Sequence, residues 1–482
     1  MKKNIPNGLF IHNEWVHPTD CELIEDINPS DESVICEAIC AGEQQVDDAV
    51  KSCRRALNGE WRSMNPWDRG RLLMKISELV TRDLDILAEM EMKETGKPKD
   101  AAYGAIRQVS RYFEFYAGVA DKIQGVSIPL EEKYIDFTLR EPIGITAHIV
   151  PWNAPLNMLA RGVAPAMAAG CASVVKPAEQ TPIGALQLAE IFKEAGVPAG
   201  VMNVINGYGA KTGSWLSSHP EIDALVFTGS MKTGSAVMKA CAEHITPVVL
   251  ELGGKSPLLV FDDVSPLTVA QEAVKGIYSN TGQYCDAGSR LLLSKNIHDA
   301  VLEELLKITA KISVGIPDDN PDMGPLISAA QQKTVNSFIE RGISEGAKLV
   351  SGGKFPANLD KGYFIEPTVF TEVEPSHEIA NKEIFGPVLS VMSFDDEEEA
   401  LEIANGTEYG LAAGVFTKDI NRAMRLIKRL DAGSVHVNEY FSGEMAAPFG
   451  GVKKSGIGRE KGLETLANYT RIKNVIIHIA GI

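Results

Sequence analysis

From about residue 143 onward, short apolar runs alternate with stretches of helical periodicity, and this alternation limits the folds open to the chain. Such a strand and helix alternation predicts a parallel sheet covered by helices on both faces. Ile183–Ala195 is the clearest helical stretch. The runs predicted as strands of a first sheet are Ile143–Val150, Ala172–Val175, Val201–Ile205, Ala224–Phe227 and Val248–Leu252.

Two further regions complete the predicted organisation. A second alternating region, from about Pro257 to Gly433, predicts a second α/β domain. Upstream, Asp68–Glu94 has the apolar spacing of one long helix that ends before Gly96. The strands predicted for the second region are Leu258–Phe261, Leu291–Leu293, Pro387–Ser393 and Ser434–Val437, and the β-rich segments outside both regions are Tyr134–Leu139 and Ile472–Ile479.

Charge and cysteine content exclude several classes of protein. A net charge of -17 disfavours nucleic acid and anionic membrane as partners, because both require clustered cations. No window reaches roughly eighteen uncharged apolar residues, so we expect no membrane span. The N-terminal lysines precede no apolar stretch, which predicts a cytoplasmic protein without a secretory signal. Seven cysteines without a Cys-x-x-Cys pair argue against a disulfide framework and a structural zinc site.

Two short segments carry the clearest chemistry. Glu251 is a lone carboxylate in an apolar run, where burial would raise its pKa and suit it to act as a base. Cys285 is a lone thiol in a polar turn flanked by glycines, where exposure and backbone N–H groups would favour the nucleophilic thiolate. Taken singly, each residue is better explained by a structural role, Glu251 as a strand-end acid and Cys285 as a small buried hydrophobe.

These segments resemble the base and nucleophile signatures of the aldehyde dehydrogenase superfamily, and the resemblance covers nearly the whole chain. Five more motifs occur in the family's order: Pro-Trp-Asn at 151–153, Lys-Pro-Ala-Glu at 176–179, Phe-Thr-Gly-Ser at 227–230, Glu-Ile-Phe-Gly-Pro at 383–387 and Pro-Phe-Gly-Gly at 448–451. The resemblance implies an α/β fold with a Rossmann-like cofactor domain, a second α/β catalytic domain and a small β oligomerisation element. The expected divisions are 1–122 with 143–254 for NAD binding, 255–454 for catalysis, and 123–142 with 468–482 for the bridging sheet.

The cofactor residues are predicted around three motifs. Gly229, Ser230 and Gly234 follow a strand and precede a helical stretch, where glycine and a helix N-terminus suit a pyrophosphate, although the pattern alone also fits a plain turn. The resemblance implies that Lys176 and Glu179 hold the adenosine ribose. A carboxylate there would repel a 2′-phosphate, so we expect NAD rather than NADP.

The resemblance also assigns the nicotinamide side and the chemistry. Glu383 would bind the nicotinamide ribose, with Phe385 beside it and Trp152 in the same groove. Cys285 would attack the aldehyde, and Asn153 would stabilise the oxyanion of the thiohemiacetal. After hydride loss leaves a thioester, Glu251 would activate water to release the acid. Family members that transfer the acyl group to coenzyme A generally lack this glutamate, so water is the expected acceptor. No metal site is predicted.

The substrate pocket departs from many relatives. Ala154 stands where they carry an aromatic residue, and Ser442, Gly443 and Glu444 are small or polar where bulky apolar groups are common. Arg161 could bind a distant carboxylate, although a surface or helix-capping role fits the sequence equally well. The residues expected to shape this pocket are Ala154, Arg161, Tyr284, Asp286 and Gly443.

Several alternatives stay open at this point. The substrate is either a bulky or aromatic aldehyde or a carboxylated semialdehyde. The competing functions are a non-catalytic NAD-binding relative and a coenzyme A-acylating dehydrogenase. The resemblance implies a homodimer or homotetramer joined through the bridging sheet, whereas ordinary edge strands would explain the same β-rich segments.

Overall fold

The structure is a computed structural model that describes residues 6–441 and 443–479. The predicted boundaries at residues 1 and 482, and the prediction for Ser442, lie outside the described residues. In chain order the strands are β1 Leu9–Ile11, β2 Glu14–Val16, β3 Leu23–Ile27, β4 Val34–Ile39, β5 Ser127–Ile128, β6 Tyr134–Pro142, β7 Ile145–Ile149, β8 Ala172–Lys176, β9 Met202–Val204, β10 Ala224–Thr228, β11 Val248–Glu251, β12 Pro257–Val260, β13 Arg290–Ser294, β14 Lys348–Ser351, β15 Thr368–Thr371, β16 Val388–Phe394, β17 Ala412–Phe416, β18 Ser434–Val437, β19 Gly456–Ile457 and β20 Thr470–His478.

The helices cover both faces of the larger sheets. In chain order they are α1 Glu43–Asn58, α2 Glu60–Ser63, α3 Pro66–Arg82, α4 Leu84–Thr95, α5 Lys99–Ala117, α6 Pro155–Ala169, α7 Ile183–Ala195, α8 Ser214–Ser217, α9 Met231–Ala242, α10 Pro266–Tyr278, α11 His298–Thr309, α12 Ala329–Ser344, α13 Glu378–Asn381, α14 Glu397–Asn405, α15 Ile420–Ile427 and α16 Leu466–Tyr469. Within the described part of the chain, no helix is both long and apolar enough to cross a bilayer.

The first sheet has eight strands among the described residues, in the order β19-β11-β10-β7-β8-β9-β1-β2. Its five central strands, β11 to β9 in that order, are parallel, and every residue of β7 and β8 is buried. Burial on both faces explains their continuous apolar sequence. The chain moves outward from β7 in both directions, so the carboxyl ends of β7 and β10 flank the crevice where such sheets bind ligands.

The second sheet has the order β14-β15-β16-β13-β12-β17-β18 and is parallel except for β14. Two apolar clusters, one on each face, join it to its helices. The mixed α/β class with two parallel sheets is therefore confirmed. So are the predicted strands of both regions and the helix Ile183–Ala195, within a residue or two at their ends.

The predicted single helix over Asp68–Glu94 is wrong, because two helices occupy this stretch. Asp83 lies between α3 and α4 with φ -95° and ψ 19°, and its carboxylate pairs with Arg82 at 2.7 Å. Non-helical backbone at one residue is invisible in a periodicity that continues on both sides. The predicted end before Gly96 is correct, since this glycine has φ +73° and a Cβ would lie 2.4 Å from Pro325 Cγ.

The two β-rich segments outside the main sheets pair with each other. β6 and β20 form an antiparallel ladder over nine residue pairs, and β5 adds a third strand. Opposed positions include Ile135 with Ile477, which are 49% and 43% exposed. This small sheet thus presents apolar side chains to its surroundings.

Candidate active site

A cavity of about 300 Å³ lies at the carboxyl ends of β7, β10 and β11. The segments that follow these strands supply much of its wall, as expected for a switch point in a parallel sheet. The segment between α10 and β13, called the nucleophile segment because it contains Cys285, closes the cavity from the side of the second sheet. The segment before β16 closes it from the same side. The predicted residues that line it are Trp152, Asn153, Gly229, Ser230, Glu251, Cys285, Glu383 and Phe385.

A second cavity, of about 1010 Å³, shares Asn153, Met158 and Cys285 with the first. The five residues predicted for the substrate pocket, Ala154, Arg161, Tyr284, Asp286 and Gly443, all line it. The thiol of Cys285 therefore lies where the two cavities meet. The structure brings the predicted catalytic and pocket residues together.

Cys285 lies in the segment between α10 and β13, after a tight turn. Asn280, Thr281 and Gly282 have φ of 51°, 59° and 71°, so two side-chain-bearing residues adopt left-handed backbone. The thiol is half-buried. Burial raises the pKa of Cys285 well above its usual value, and Asp286 raises it further against the opposing charge of Arg161. This differs from the thiolate-favouring loop that the sequence predicts, because burial and the mostly acidic neighbouring charges both disfavour the thiolate.

Asn153 connects β7 to the nucleophile segment. Its side chain is 5% exposed, and Nδ2 donates to the carbonyl oxygen of Gln283 at 2.8 Å. A side-chain amide carries two N–H donors, so one is left for a group beside Cys285.

Glu251, the last residue of β11, is 3% exposed. Neither carboxylate oxygen accepts a hydrogen bond from a described residue. Burial raises the pKa of Glu251 well above its usual value, with Arg161 opposing the rise and Glu460 adding to it. The buried, raised-pKa carboxylate that the sequence predicts is present, and this is the property of a base that must hold and release a proton.

Arg161 lies on α6 and is 4% exposed, so the surface and helix-capping alternatives for it are wrong. Its Nη2 is 2.5 Å from Glu460 Oε2 and 3.7 Å from Glu251 Oε2, and its guanidinium stacks over the ring of Phe449 at 4.5 Å. The two carboxylates and one cation form a buried triad of Arg161, Glu251 and Glu460. The guanidinium lines the large cavity but is already paired.

The predicted adenosine residues lie away from the smaller cavity. Lys176, at the end of β8, is 1% exposed, and its Nζ donates to Pro177 O at 2.7 Å and lies 3.8 Å from Glu179 Oε2. Burial lowers the pKa of Lys176 to about 8, with Glu179 opposing. Gly234 is buried under Leu252, where a Cβ would lie 2.6 Å from Leu252 Cδ2. Close packing of α9 on Leu252 is thus one reason for a glycine at position 234.

The predicted nicotinamide residues form one wall. Trp152 and Phe385 meet edge to face with ring centroids 5.2 Å apart. Glu383 Oε1 accepts from the backbone N–H of Gly254 at 3.1 Å. Burial raises the pKa of Glu383 to about 7, against this hydrogen bond and the charge of Lys255. A carboxylate held at the cavity edge can accept hydrogen bonds from sugar hydroxyls.

Sequence comparison decides the family. The model of the aldehyde dehydrogenase family matches residues 15–475. The chain belongs to the aldehyde dehydrogenase family. It is 45% identical over 471 residues to aldehyde dehydrogenase 1 of Tanacetum cinerariifolium, covering 97% of this chain and 94% of that one. It is 41% identical to human retinal dehydrogenase 2, covering 98% and 92%.

Solved structures of the aldehyde dehydrogenase family share the whole architecture. An NAD⁺ complex of an aldehyde dehydrogenase from Bacillus cereus superposes with a TM-score of 0.97 at 41% identity, covering 99% of this chain and 97% of that one. The fold is therefore that of an aldehyde dehydrogenase.

Sequence reasoning missed three contributors to this aldehyde dehydrogenase site. Glu460 shares the guanidinium of Arg161 with Glu251, and the antiparallel pairing of β19 with β11, with Gly456 opposite Glu251, brings this part of the chain to the site. Lys97 donates to the backbone oxygen of Asn153 at 2.7 Å. Gln331 donates to the backbone oxygen of Phe385 at 2.8 Å and lines the smaller cavity. All three act across distant parts of the chain, and no local pattern marks them.

Proposed function

We propose that this protein oxidises an aldehyde to the carboxylic acid, with NAD as cofactor and Cys285 as the covalent nucleophile. The observation that carries the proposal is the position of Cys285 where two cavities meet. Asn153 lines both of them, and Glu251 lines the smaller one. The larger cavity would admit the aldehyde, and the smaller would hold the nicotinamide.

The residues present fit a dinucleotide. Ser230 caps α9, its Oγ accepting from Thr233 N at 3.3 Å, and the free N–H groups of this helix start suit a pyrophosphate. Lys176 retains donors for ribose hydroxyls, and Glu383 retains an acceptor. When bound, the oxidised nicotinamide accepts the hydride that the chemistry releases. The Glu179 carboxylate supports NAD over NADP, because it would repel a 2′-phosphate.

The chain's own residues account for the covalent steps. The raised pKa of Cys285 keeps the thiol protonated at rest, so its proton must leave as sulfur attacks the carbonyl carbon. Glu251, buried in the adjoining cavity, can accept that proton in its ionised form, and the raised pKa makes this carboxylate a stronger base. The free N–H of Asn153 would stabilise the oxyanion, typically worth about 2.7 to 4 kcal/mol. After losing that proton to solvent, Glu251 would take a proton from the water that attacks the thioester carbonyl carbon, and cleavage of the C–S bond would release the acid and free Cys285.

We propose a bulky or aromatic aldehyde without a carboxylate as the substrate. Tyr284 and Phe441 meet edge to face in the wall of the 1010 Å³ cavity. Arg161 is engaged by Glu460, and Asp286 places a carboxylate in the wall next to the nucleophile. An anionic substrate would meet repulsion there. Of the other cations that line this cavity, Lys97 is paired with Glu91 and Lys275 lies near Glu272 and Glu439, so a carboxylated aldehyde would have to use Lys461.

We further propose a homodimer or homotetramer assembled through the β5-β6-β20 sheet, which presents exposed apolar residues on paired strands. The division into an NAD-binding, a catalytic and a bridging unit is part of this proposal. The seven cysteines, none in a disulfide, support a reducing compartment such as the cytoplasm.

The test is NADH formation by the purified protein with benzaldehyde, acetaldehyde and succinic semialdehyde, using Cys285→Ala as the control. We expect turnover that is fastest with benzaldehyde and absent in the control. The substrate proposal would be overturned if the unmodified protein preferred succinic semialdehyde and the Lys461→Met variant lost that preference. NAD binding without turnover would favour a non-catalytic relative, and turnover only with added coenzyme A would favour the acylating reaction.

A further inference from the structure

A second buried ion pair, apart from the triad of Arg161, Glu251 and Glu460, contacts Asn153, the proposed oxyanion residue. Lys97, just beyond α4, has its Nζ 2.5 Å from Glu91 Oε1, and both side chains are 1% exposed. Taking two charges out of water is costly, so such a pair needs excellent geometry and further hydrogen bonds. Lys97 makes one such further hydrogen bond, to a residue in a distant part of the chain. Its Nζ donates to Asn153 O at 2.7 Å.

The carbonyl of Asn153 is held from two sides. Besides Lys97, the Nδ2 of Asn280 donates to Asn153 O at 3.1 Å. A carbonyl oxygen has two lone pairs, so both acceptor positions of this peptide are used. Asn280 belongs to the left-handed turn that leads to Cys285. The Asn153 peptide therefore lies between the Glu91–Lys97 pair and the nucleophile segment.

The side chain of Asn153 is tied to the same segment. Its Nδ2 donates to Gln283 O at 2.8 Å, and Asn280 Nδ2 donates to that oxygen at 3.3 Å. Gln283 is itself fixed, since its Nε2 donates to Asn280 O and its Oε1 accepts from Ile327 N. Left-handed backbone at Asn280 and Thr281 persists only where the surroundings hold it.

We infer that Lys97, held by Glu91, is a positioning residue that fixes the Asn153 peptide and so aims its side-chain amide at the oxyanion formed on Cys285. This inference rests on the proposed function. An oxyanion donor contributes only when its direction is set before charge develops. Displacement by about 1 Å typically costs about 100-fold in rate.

The test uses Lys97→Met, which keeps the apolar stem and removes the charge and donors. Because this change leaves Glu91 buried without its partner, Glu91→Gln/Lys97→Met is made alongside it. The matched control is Lys93→Met, in the last turn of α4, whose exposed pair with Glu89 spans 2.6 Å. We expect both Lys97 variants to lose about 100-fold in the rate of first-turnover NADH formation, with the dissociation constant for NAD unchanged. Lys93→Met should match the unmodified protein.

Combination with Asn153→Ala separates positioning from a merely structural role. If Lys97 acts through the Asn153 amide, adding Lys97→Met to Asn153→Ala should lower the first-turnover rate no further. Multiplied losses in the combined variant, or a normal first turnover in a folded Lys97 variant, would overturn the inference while leaving the proposed function intact. No turnover in the unmodified protein would overturn the proposed function and this inference together. If Lys97→Met does not fold, the Glu91→Gln/Lys97→Met variant decides.

Discussion

The guanidinium of Arg161 lies 2.5 Å from the carboxylate of Glu460, inside the wall of the large cavity. The same guanidinium is 3.7 Å from the carboxylate of Glu251, so one positive charge interacts with two buried carboxylates. This arrangement links the charge state of the proposed base to Arg161, for which the sequence had suggested substrate binding, a surface position or helix capping, but no link to Glu251. Arg161 therefore bears on catalysis through Glu251.

Replacing Arg161 by leucine should raise the pKa of Glu251, because Arg161 opposes the effect of burial more strongly than the second nearby cation, Arg459. Glu251 works as a base only when ionised, so the acid limb of the pH profile of turnover should move to higher pH, by roughly 1 to 3 units. The free energy of unfolding should fall by about 3 to 5 kcal/mol, since two carboxylates lose their buried partner. Arg429→Leu, which breaks the exposed pair with Glu398, is the control. An unmoved acid limb would contradict the triad's role.

Binding of NAD should depend on pH through Glu383 and Lys176. Glu383, with a pKa of about 7, accepts hydrogen bonds from sugar hydroxyls best when it is ionised. The affinity for NAD should therefore rise as the pH rises through 7. Lys176, with a pKa of about 8, loses a donor proton above that value, so affinity should then fall. Quenching of tryptophan fluorescence, with Trp152 in the cavity wall, measures the dissociation constant. In Glu383→Gln only the fall should remain, and a persisting rise would rule out Glu383 as its source.

Enlarging Ala154 should narrow the substrate cavity. Ala154 is 5% exposed and lines this cavity next to Asn153. Ala154→Phe should therefore raise the KM for benzaldehyde by about tenfold or more, the loss expected when one or two methylene-sized contacts are excluded. Acetaldehyde serves as the internal control and should be nearly unaffected. Equal losses for both aldehydes would mean that the residue supports the fold and not the pocket.

How much of this could be predicted from sequence depends on the range of the interaction. Strands such as Ala224–Thr228 were predictable because a strand that is buried on both faces has a continuous run of apolar residues in its sequence. The break at Asp83 was not, because the apolar spacing continues through it. Local signals therefore locate elements more reliably than their interruptions.

The site divides in the same way. Local sequence motifs identify three of the site residues, Cys285, Glu251 and Asn153. Tertiary contacts alone bring Glu460 and Lys97 to the site. Sequence reasoning placed Arg161 in the pocket, but it could not show that Glu460 already holds the guanidinium. Its exposure and pairing are properties of the packed structure.

Charge introduced into the small sheet should dissociate the proposed oligomer. Ile135 and Ile477 are opposed on β6 and β20 and exposed in the single chain. Ile135→Glu/Ile477→Glu would bury two carboxylates in an interface formed there. Light scattering should then give the monomer mass of 52.1 kDa, against two or four times that mass for the unmodified protein. Ile245→Glu, at an 89% exposed position elsewhere, should leave the mass unchanged.

The covalent route is the central claim, and trapping the acyl group on Cys285 tests it most directly. Glu251→Gln should slow thioester hydrolysis by about 100- to 10,000-fold, more than it slows the first turnover, because water is the weaker nucleophile. Mass spectrometry of this variant after mixing with NAD and benzaldehyde should therefore show a benzoyl group on the peptide that contains Cys285. Cys285→Ala/Glu251→Gln should show none. Benzoate formation by the unmodified protein without any trapped acyl group, or with the group on another residue, would contradict the account.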